Sequence, residues 1–141
     1  MAIEASRVLL APREDVWALV AEPYHLPDWW PSYTGVQPDR RGLAEGARWT
    51  VTRSRTPGFF RRPRGQGLIV LRRVLTGTEL AWYDVAQDVE AGVRLDDEGR
   101  NTIATAFVDG PYWRLLSEGA RGLPRLAIAR LHDLCQTAAS L

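Results

Sequence analysis

The stretch Ile3 to Tyr33, IEASRVLLAPREDVWALVAEPYHLPDWWPSY, limits the possible folds more than any other part of the chain. It reads as a strand, a helix started by a proline, and a second short helix closed by Trp29-Trp30-Pro31. Pro12 stands where a first helical residue belongs, because its missing N–H would lack an intrahelical partner there anyway. Glu14 and Asp15 fall in the first turn, which the helix dipole makes favourable for negative charge. Val16, Trp17, Leu19 and Val20 make an apolar stripe at three- and four-residue spacing. Pro23 ends that helix by pushing its predecessor out of helical geometry. Pro27 opens the next helix and Pro31 closes it.

A run of strands follows, with turn residues between them. Thr34–Pro38 is a weak strand, Ala47–Arg55 a stronger one, and TPGFFRRPRG a long loop. Gly67–Leu75 and Thr78–Gln87 read as a hairpin turning at Thr76-Gly77. With a two-residue turn, Leu71 pairs with Trp82, Ile69 with Asp84 and Arg73 with Leu80. Periodicity leaves the inward face open, since Val70, Tyr83, Leu68 and Val85 line the other side. The Trp82 face is preferred because exposing Ile69, Leu71, Leu80 and Trp82 together would leave a sizeable apolar patch. Val89–Asp96 and Arg100–Asp109 form a further hairpin. A three-residue loop Asp97-Glu98-Gly99 would set Val93 opposite Ile103 and Val89 opposite Phe107. The short helix Tyr112–Glu118 then leads to a C-terminal helix with Pro124 in its first turn. Leu123, Ala127, Leu131, Leu134 and Ala138 recur along that helix at helical spacing.

Composition excludes several classes. The 141 residues fit one domain, 1–141, with 45% hydrophobic and 25% charged residues in the globular range. No apolar run approaches a membrane span, so stable membrane insertion is not expected. The start lacks the pattern of a signal peptide, and the single cysteine, Cys135, fits a reducing compartment, so a cytoplasmic location is expected. All 18 basic residues are arginine, which removes Schiff-base lysines and a P-loop lysine from consideration. A net charge of +1 and the lack of a recognised motif speak against nucleic acid. His25, His132 and Cys135 show no metal-ligand spacing, so no metal and no cofactor are expected. No nucleophile elbow or triad is discernible, and catalytic residues stay unassigned. Cys135 lies on the apolar helix stripe and reads as a buried structural thiol.

The chain resembles the START-like, or SRPBCC, superfamily, and within it the polyketide cyclase/dehydrase-like group. The resemblance rests on APREDVWALVAEPYHLPDWWPSY, on EGARW before a strand, and on the long C-terminal helix. It implies an α+β helix-grip fold of the START and birch-pollen-allergen type, in the order β-α-α-β-β-β-β-β-β-α. A curved antiparallel sheet would wrap the C-terminal helix and leave a cavity for a hydrophobic small molecule. The loop Thr56–Gly65 is longer and more basic than that pattern leads one to expect. Its Phe59–Arg64 segment reads as a solvated loop, with a lid over the cavity as the functional alternative.

The residues expected to contact a ligand are Trp30, Tyr33, Trp49, Arg73, Trp82, Asp84, Phe107 and Leu131. Asp84 and Arg73 would be the polar groups inside an apolar pocket, where an unpaired charge is costly and a paired one can read a hydroxyl or carbonyl. Trp17, Trp49 and Trp113 read first as core packing. Three readings of function follow: a binding protein for an aromatic or polycyclic small molecule or lipid, a cyclase/dehydratase-type enzyme using Asp84 with Tyr83 or Arg73, and a protein- or membrane-interaction module. Oligomeric state is not legible.

Overall fold

A computed structural model describes residues 1–53, 65–116 and 120–139. The Phe59–Arg64 segment lies outside the described residues. Strand β1 (Ala2–Leu9) leads into helix α1 (Arg13–Ala21), a 3₁₀ turn (Pro23–His25) and the one-turn helix α2 (Leu26–Trp29). Six strands follow: β2 (Tyr33–Gln37), β3 (Arg48–Arg53), β4 (Gln66–Leu75), β5 (Glu79–Asp84), β6 (Val89–Glu98) and β7 (Asn101–Asp109). Helix α3 (Tyr112–Leu116), a 3₁₀ turn (Ala120–Gly122) and helix α4 (Leu123–Ala139) end the chain. The strands form one antiparallel sheet in the order β1-β7-β6-β5-β4-β3-β2, so β1 crosses to pair with the last strand.

Local chemistry explains the N-terminal elements. Pro12 is extended at φ −62°, ψ 151° and caps α1 rather than opening it; its carbonyl accepts from the Asp15 and Val16 amides at 3.0 and 3.1 Å. A ring-locked φ suits either position, and ψ decides between them. Glu22 breaks the helix in extended geometry, as a residue before proline does. The His25 ring Nδ1 lies 3.0 Å from the Leu19 carbonyl oxygen and ties the end of α1 to the 3₁₀ turn.

Both hairpin registers differ from the sequence expectation near their turns. The β4–β5 turn has three residues, with Gly77 at φ +77° and Leu75 opposite Glu79. A bulge between Leu71 and Arg73 absorbs the extra residue, so Leu71 still faces Trp82 and Ile69 faces Asp84. Arg73, on the turn side of the bulge, pairs with Ala81 instead of Leu80. The β6–β7 turn is the two-residue Gly99-Arg100, which sets Val93 opposite Ala106 and Gly92 opposite Phe107. An odd slip of this kind inverts a strand's faces. Thr102, Ala104, Ala106 and Val108 therefore point inward, whereas Ile103, Thr105 and Phe107 point outward.

The inverted register makes steric sense. Helix α4 lies across β1 and β7, over the small residues Ala104 and Ala106, with Ala127 and Leu131 fully buried. On the other face the Phe107 ring needs Gly92 opposite it: a Cβ there would stand 2.9 Å from Phe107 Cζ and 2.2 Å from the Leu80 carbonyl oxygen. Burial of Cys135 at 5% exposure holds its thiol above the ordinary range. Trp113 departs from the core role expected of it and is 60% exposed, beside exposed Tyr112.

Candidate functional site

Inside the sheet, four aromatic rings meet a carboxylate. Leu26, Trp29, Trp30, Tyr33 and Trp82 are all at most 2% exposed. Adjacent residues on a helix point about 100° apart, so Trp29 and Trp30 could not both face inward from a continuous helix. The chain leaves helical geometry at Trp30 (φ −97°, ψ 113°), and this turns its ring back to the interior. The Trp82 ring then receives both: Trp29 at 5.8 Å and 74°, Trp30 at 5.1 Å and 87°. Trp29 and Trp30 also meet edge to face at 6.0 Å. Edge-to-face pairs of this kind contribute about 0.5–1.5 kcal/mol each beyond area burial. These rings lie beneath the β4–β5 hairpin, on the side where a ligand cavity was expected.

Asp84 closes β5 on the same inward face and is 2% exposed. Its Oδ2 accepts from the Tyr33 hydroxyl at 2.7 Å, and its Oδ1 accepts from the Arg53 guanidinium and from the Gln87 amide at 3.2 Å. The Tyr33 hydroxyl in turn accepts from Trp82 Nε1 at 3.2 Å. Tyr33 and Arg53 are register partners across β2 and β3, and the guanidinium carbon lies 5.9 Å from the Tyr33 ring centre. A charge pair at this depth is tolerable only when its hydrogen bonds are filled, and the carboxylate meets that condition. Burial, then the Asp84 charge, pushes the Tyr33 phenol well above its usual range. It therefore stays protonated and serves as a hydrogen-bond donor.

Two donors in the same region are unspent. Trp29 Nε1 and Arg53 Nη1 are buried without a hydrogen-bond partner among the described residues. Buried N–H groups are rarely left so, because each costs about 1–3 kcal/mol. Both could donate to an oxygen entering the site.

The structure thus brings Trp30, Tyr33, Trp82 and Asp84 together. Leu131 from α4 and Trp49 from β3 belong to the same core, with Trp49 Nε1 spent on the Gly42 carbonyl at 2.8 Å. Arg73 and Phe107 do not join them. The bulge turns Arg73 to the outer face, where it pairs with Glu79 at 2.8 Å and Glu90 at 2.6 Å. Phe107 packs on that outer face beneath Arg94, 5.1 Å from its ring centre. Tyr83 is likewise on the outer face, its hydroxyl bound to the Asp88 carboxylate.

The cation beside Asp84 is Arg53, which the sequence reading passed over. Period-two alternation would have found it: Trp49, Val51 and Arg53 share one face of β3. Gly67 completes the arrangement, since a Cβ there would lie 2.9 Å from Arg53 Nη2 and block its reach. Among the described residues no group of three His, Cys, Asp or Glu side chains could hold a metal ion. No helix there is long and apolar enough to cross a membrane.

A curved seven-stranded antiparallel sheet gripping a long C-terminal helix, with two short helices after β1, defines the helix-grip fold. Solved structures share it over nearly the whole chain. Protein NE0264 from Nitrosomonas europaea aligns with a TM-score of 0.76 at 20% identity, covering 100% of this chain and 97% of its own. Ara h 8.0201 gives 0.70 at 11% identity, with 97% and 98% covered. CalU16 from Micromonospora echinospora gives 0.67 at 17% identity, with 99% and 78% covered. Likeness at such identities is a likeness of fold. No protein-family model matches the chain, and no curated protein does.

Proposed function

We propose that this chain binds a hydrophobic small molecule, aromatic or polycyclic, between the sheet and α4, with its polar end read by Tyr33, Asp84 and Arg53. The observation that carries the reading is a hydrogen-bonded carboxylate set among tryptophans beside two unspent buried donors, Trp29 Nε1 and Arg53 Nη1. A carbonyl or hydroxyl oxygen there would accept from one of these donors, and ring faces would take up the apolar body. Entry requires Trp29 and Trp30 to give way. Both stand at α2, a single turn carrying Pro27 and followed by Pro31, which could shift without unpairing the sheet. The resemblance noted above implies the same general role.

An enzyme of the cyclase/dehydratase type is the second reading, favoured by the 2.7 Å contact between phenol and carboxylate in an apolar setting. There Tyr33, held protonated, would hydrogen-bond a substrate carbonyl while Asp84 accepted a proton.

The test is native mass spectrometry of the protein purified from its own host, followed by denaturing extraction and identification of any bound compound. A stoichiometric hydrophobic compound that quenches tryptophan emission and binds Tyr33→Phe more weakly supports binding. Turnover of that compound lost in Asp84→Asn, with binding kept, would select the enzyme. Protein that is empty and ignores a panel of lipids and aromatic compounds would sink both.

A further inference from the structure

A second candidate site lies at the opposite edge of the sheet, far along the strand order from the tryptophan cluster. A cleft of about 610 Å³ opens between β1 and the start of α4. Its apolar floor is Ala5, Pro124 and Ile128, and its cations are Arg7, Arg121 and Arg125. The volume falls in the range of small-molecule sites.

Two features set the polar character of this cleft, and the first, its charge, suits it to an anion. First, Arg7, Arg121 and Arg125 are exposed and have no ion-pair partner among the described residues. The single acid at the rim, Glu4, is already held by Arg94 at 2.7 Å. Second, β1 is an edge strand whose free side borders the cleft. The Met1 carbonyl accepts from the Gly110 amide, so by alternation Met1, Ile3, Ala5 and Arg7 direct their backbone groups at β7. The N–H and C=O groups of Glu4 and Ser6 then both face outward, and both residues line the cleft. Three guanidinium groups above an apolar floor give the cleft its positive charge and one hydrophobic wall, and the open edge of β1 adds backbone donors and acceptors for a polar head.

We propose that this cleft binds an amphipathic organic anion, a carboxylate or phosphate monoester on a short apolar body. The head is held by Arg7, Arg121 and Arg125, and the body rests on Ala5, Pro124 and Ile128. Arginine suits such a head because its planar fork matches two oxygens at once. This site is separate from the interior one and takes a ligand of opposite emphasis, charge first.

The test is a two-dimensional amide NMR titration of the full chain at low ionic strength. The probes are octanoate, octyl phosphate, octanol and inorganic phosphate, each free in solution below its aggregation limit. Octanoate and octyl phosphate should shift the amides of Glu4, Ser6, Gly122 and Ala129 and leave the Trp82 indole signal in place. Each of Arg7→Gln and Arg125→Gln should weaken octyl phosphate about tenfold, the loss of one charge-assisted hydrogen bond. Added salt should weaken it further. Octanol binding as tightly as octyl phosphate would overturn the charge assignment, and inorganic phosphate doing so would overturn the apolar one. Shifts confined to the Trp82 indole, no response to any probe, or binding only to vesicles containing phosphatidic acid would overturn the site. An unshifted Trp82 indole in each variant certifies its fold, and that signal keeps the fate of this site distinct from that of the interior one.

Discussion

Replacing Asp84 by asparagine tests the interior cluster most directly. The carboxylate is 2% exposed and accepts three hydrogen bonds, from Tyr33, Arg53 and Gln87. An asparagine oxygen could keep one or two of these, but its NH₂ would then face a donor. The Arg53 charge would lose its counter-ion. Breaking a buried pair from one side costs about 3–5 kcal/mol. The Arg53 side chain is 17% exposed, so it can recover part of that by turning to water. The lower end, about 3 kcal/mol, is therefore expected for Asp84→Asn. Arg53→Ala strands a carboxylate that is only 3% exposed and should cost more, about 4–5 kcal/mol. In a chain of this size 3 kcal/mol corresponds to a melting shift of roughly 10 °C. Urea unfolding followed by tryptophan emission measures both variants. Costs below about 1 kcal/mol for each would refute the picture of a buried, hydrogen-bonded ion pair. Asp84→Leu paired with Arg53→Met should recover much of the loss, because apolar replacements of a buried ion pair are often neutral. That double variant should also lose ligand orientation, separating the cluster's role in binding from its role in folding.

Other consequences can be checked in the same preparations. The native fold holds the Tyr33 phenol above its ordinary value of 10.0, so its contribution is complete below that pH and is lost as pH climbs toward the folded value. Unfolding free energy should therefore fall above about pH 10, and less steeply in Tyr33→Phe; identical slopes would show that the phenol is not held as described. Gly92→Ala forces a Cβ to within 2.2 Å of the Leu80 carbonyl and 2.9 Å of Phe107. It should cost about 3 kcal/mol, while Gly92→Ala with Phe107→Leu relieves only the ring contact and should recover a fraction. Cys135, buried with its thiol raised by that burial, should react with iodoacetamide orders of magnitude more slowly in native than in denatured protein. Equal rates would place it outside the core.

Much of this molecule could be read from local pattern. Proline positions bracketed α1 and α2, helical spacing marked α4, and alternation with turn residues marked β3 to β7, because each depends on neighbours a few residues apart. The inward side of the β4–β5 hairpin was legible through Trp82, since burying Ile69, Leu71, Leu80 and Trp82 together outweighs the alternative. So was Asp84 as a buried polar group. Arg53 was also within reach, two residues beyond Val51 on the face of Trp49, but the tie of that face to Asp84 spans 31 residues.

Tertiary structure decided the rest. The length of a turn changes register by one residue, and one residue inverts a strand, so Arg73 and Phe107 went to the outer face although their own sequence contexts gave no warning. A bulge at Leu71–Arg73 restored the pairing of one hairpin away from its turn and displaced Arg73, Val74 and Leu75 on the turn side. In the other, helix α4 lies over Ala104 and Ala106, and Gly92 receives Phe107. These are contacts between elements far apart in the chain, and no local propensity encodes them. The same holds for the cleft at β1, whose arginines come from the first strand, the 3₁₀ turn before α4 and α4 itself, and line one cleft only because β1 crosses to pair with β7. Sequence set which segments are helix or strand through short-range sterics and hydrophobic periodicity. Long-range packing chose which faces meet, and with them the partners of Asp84.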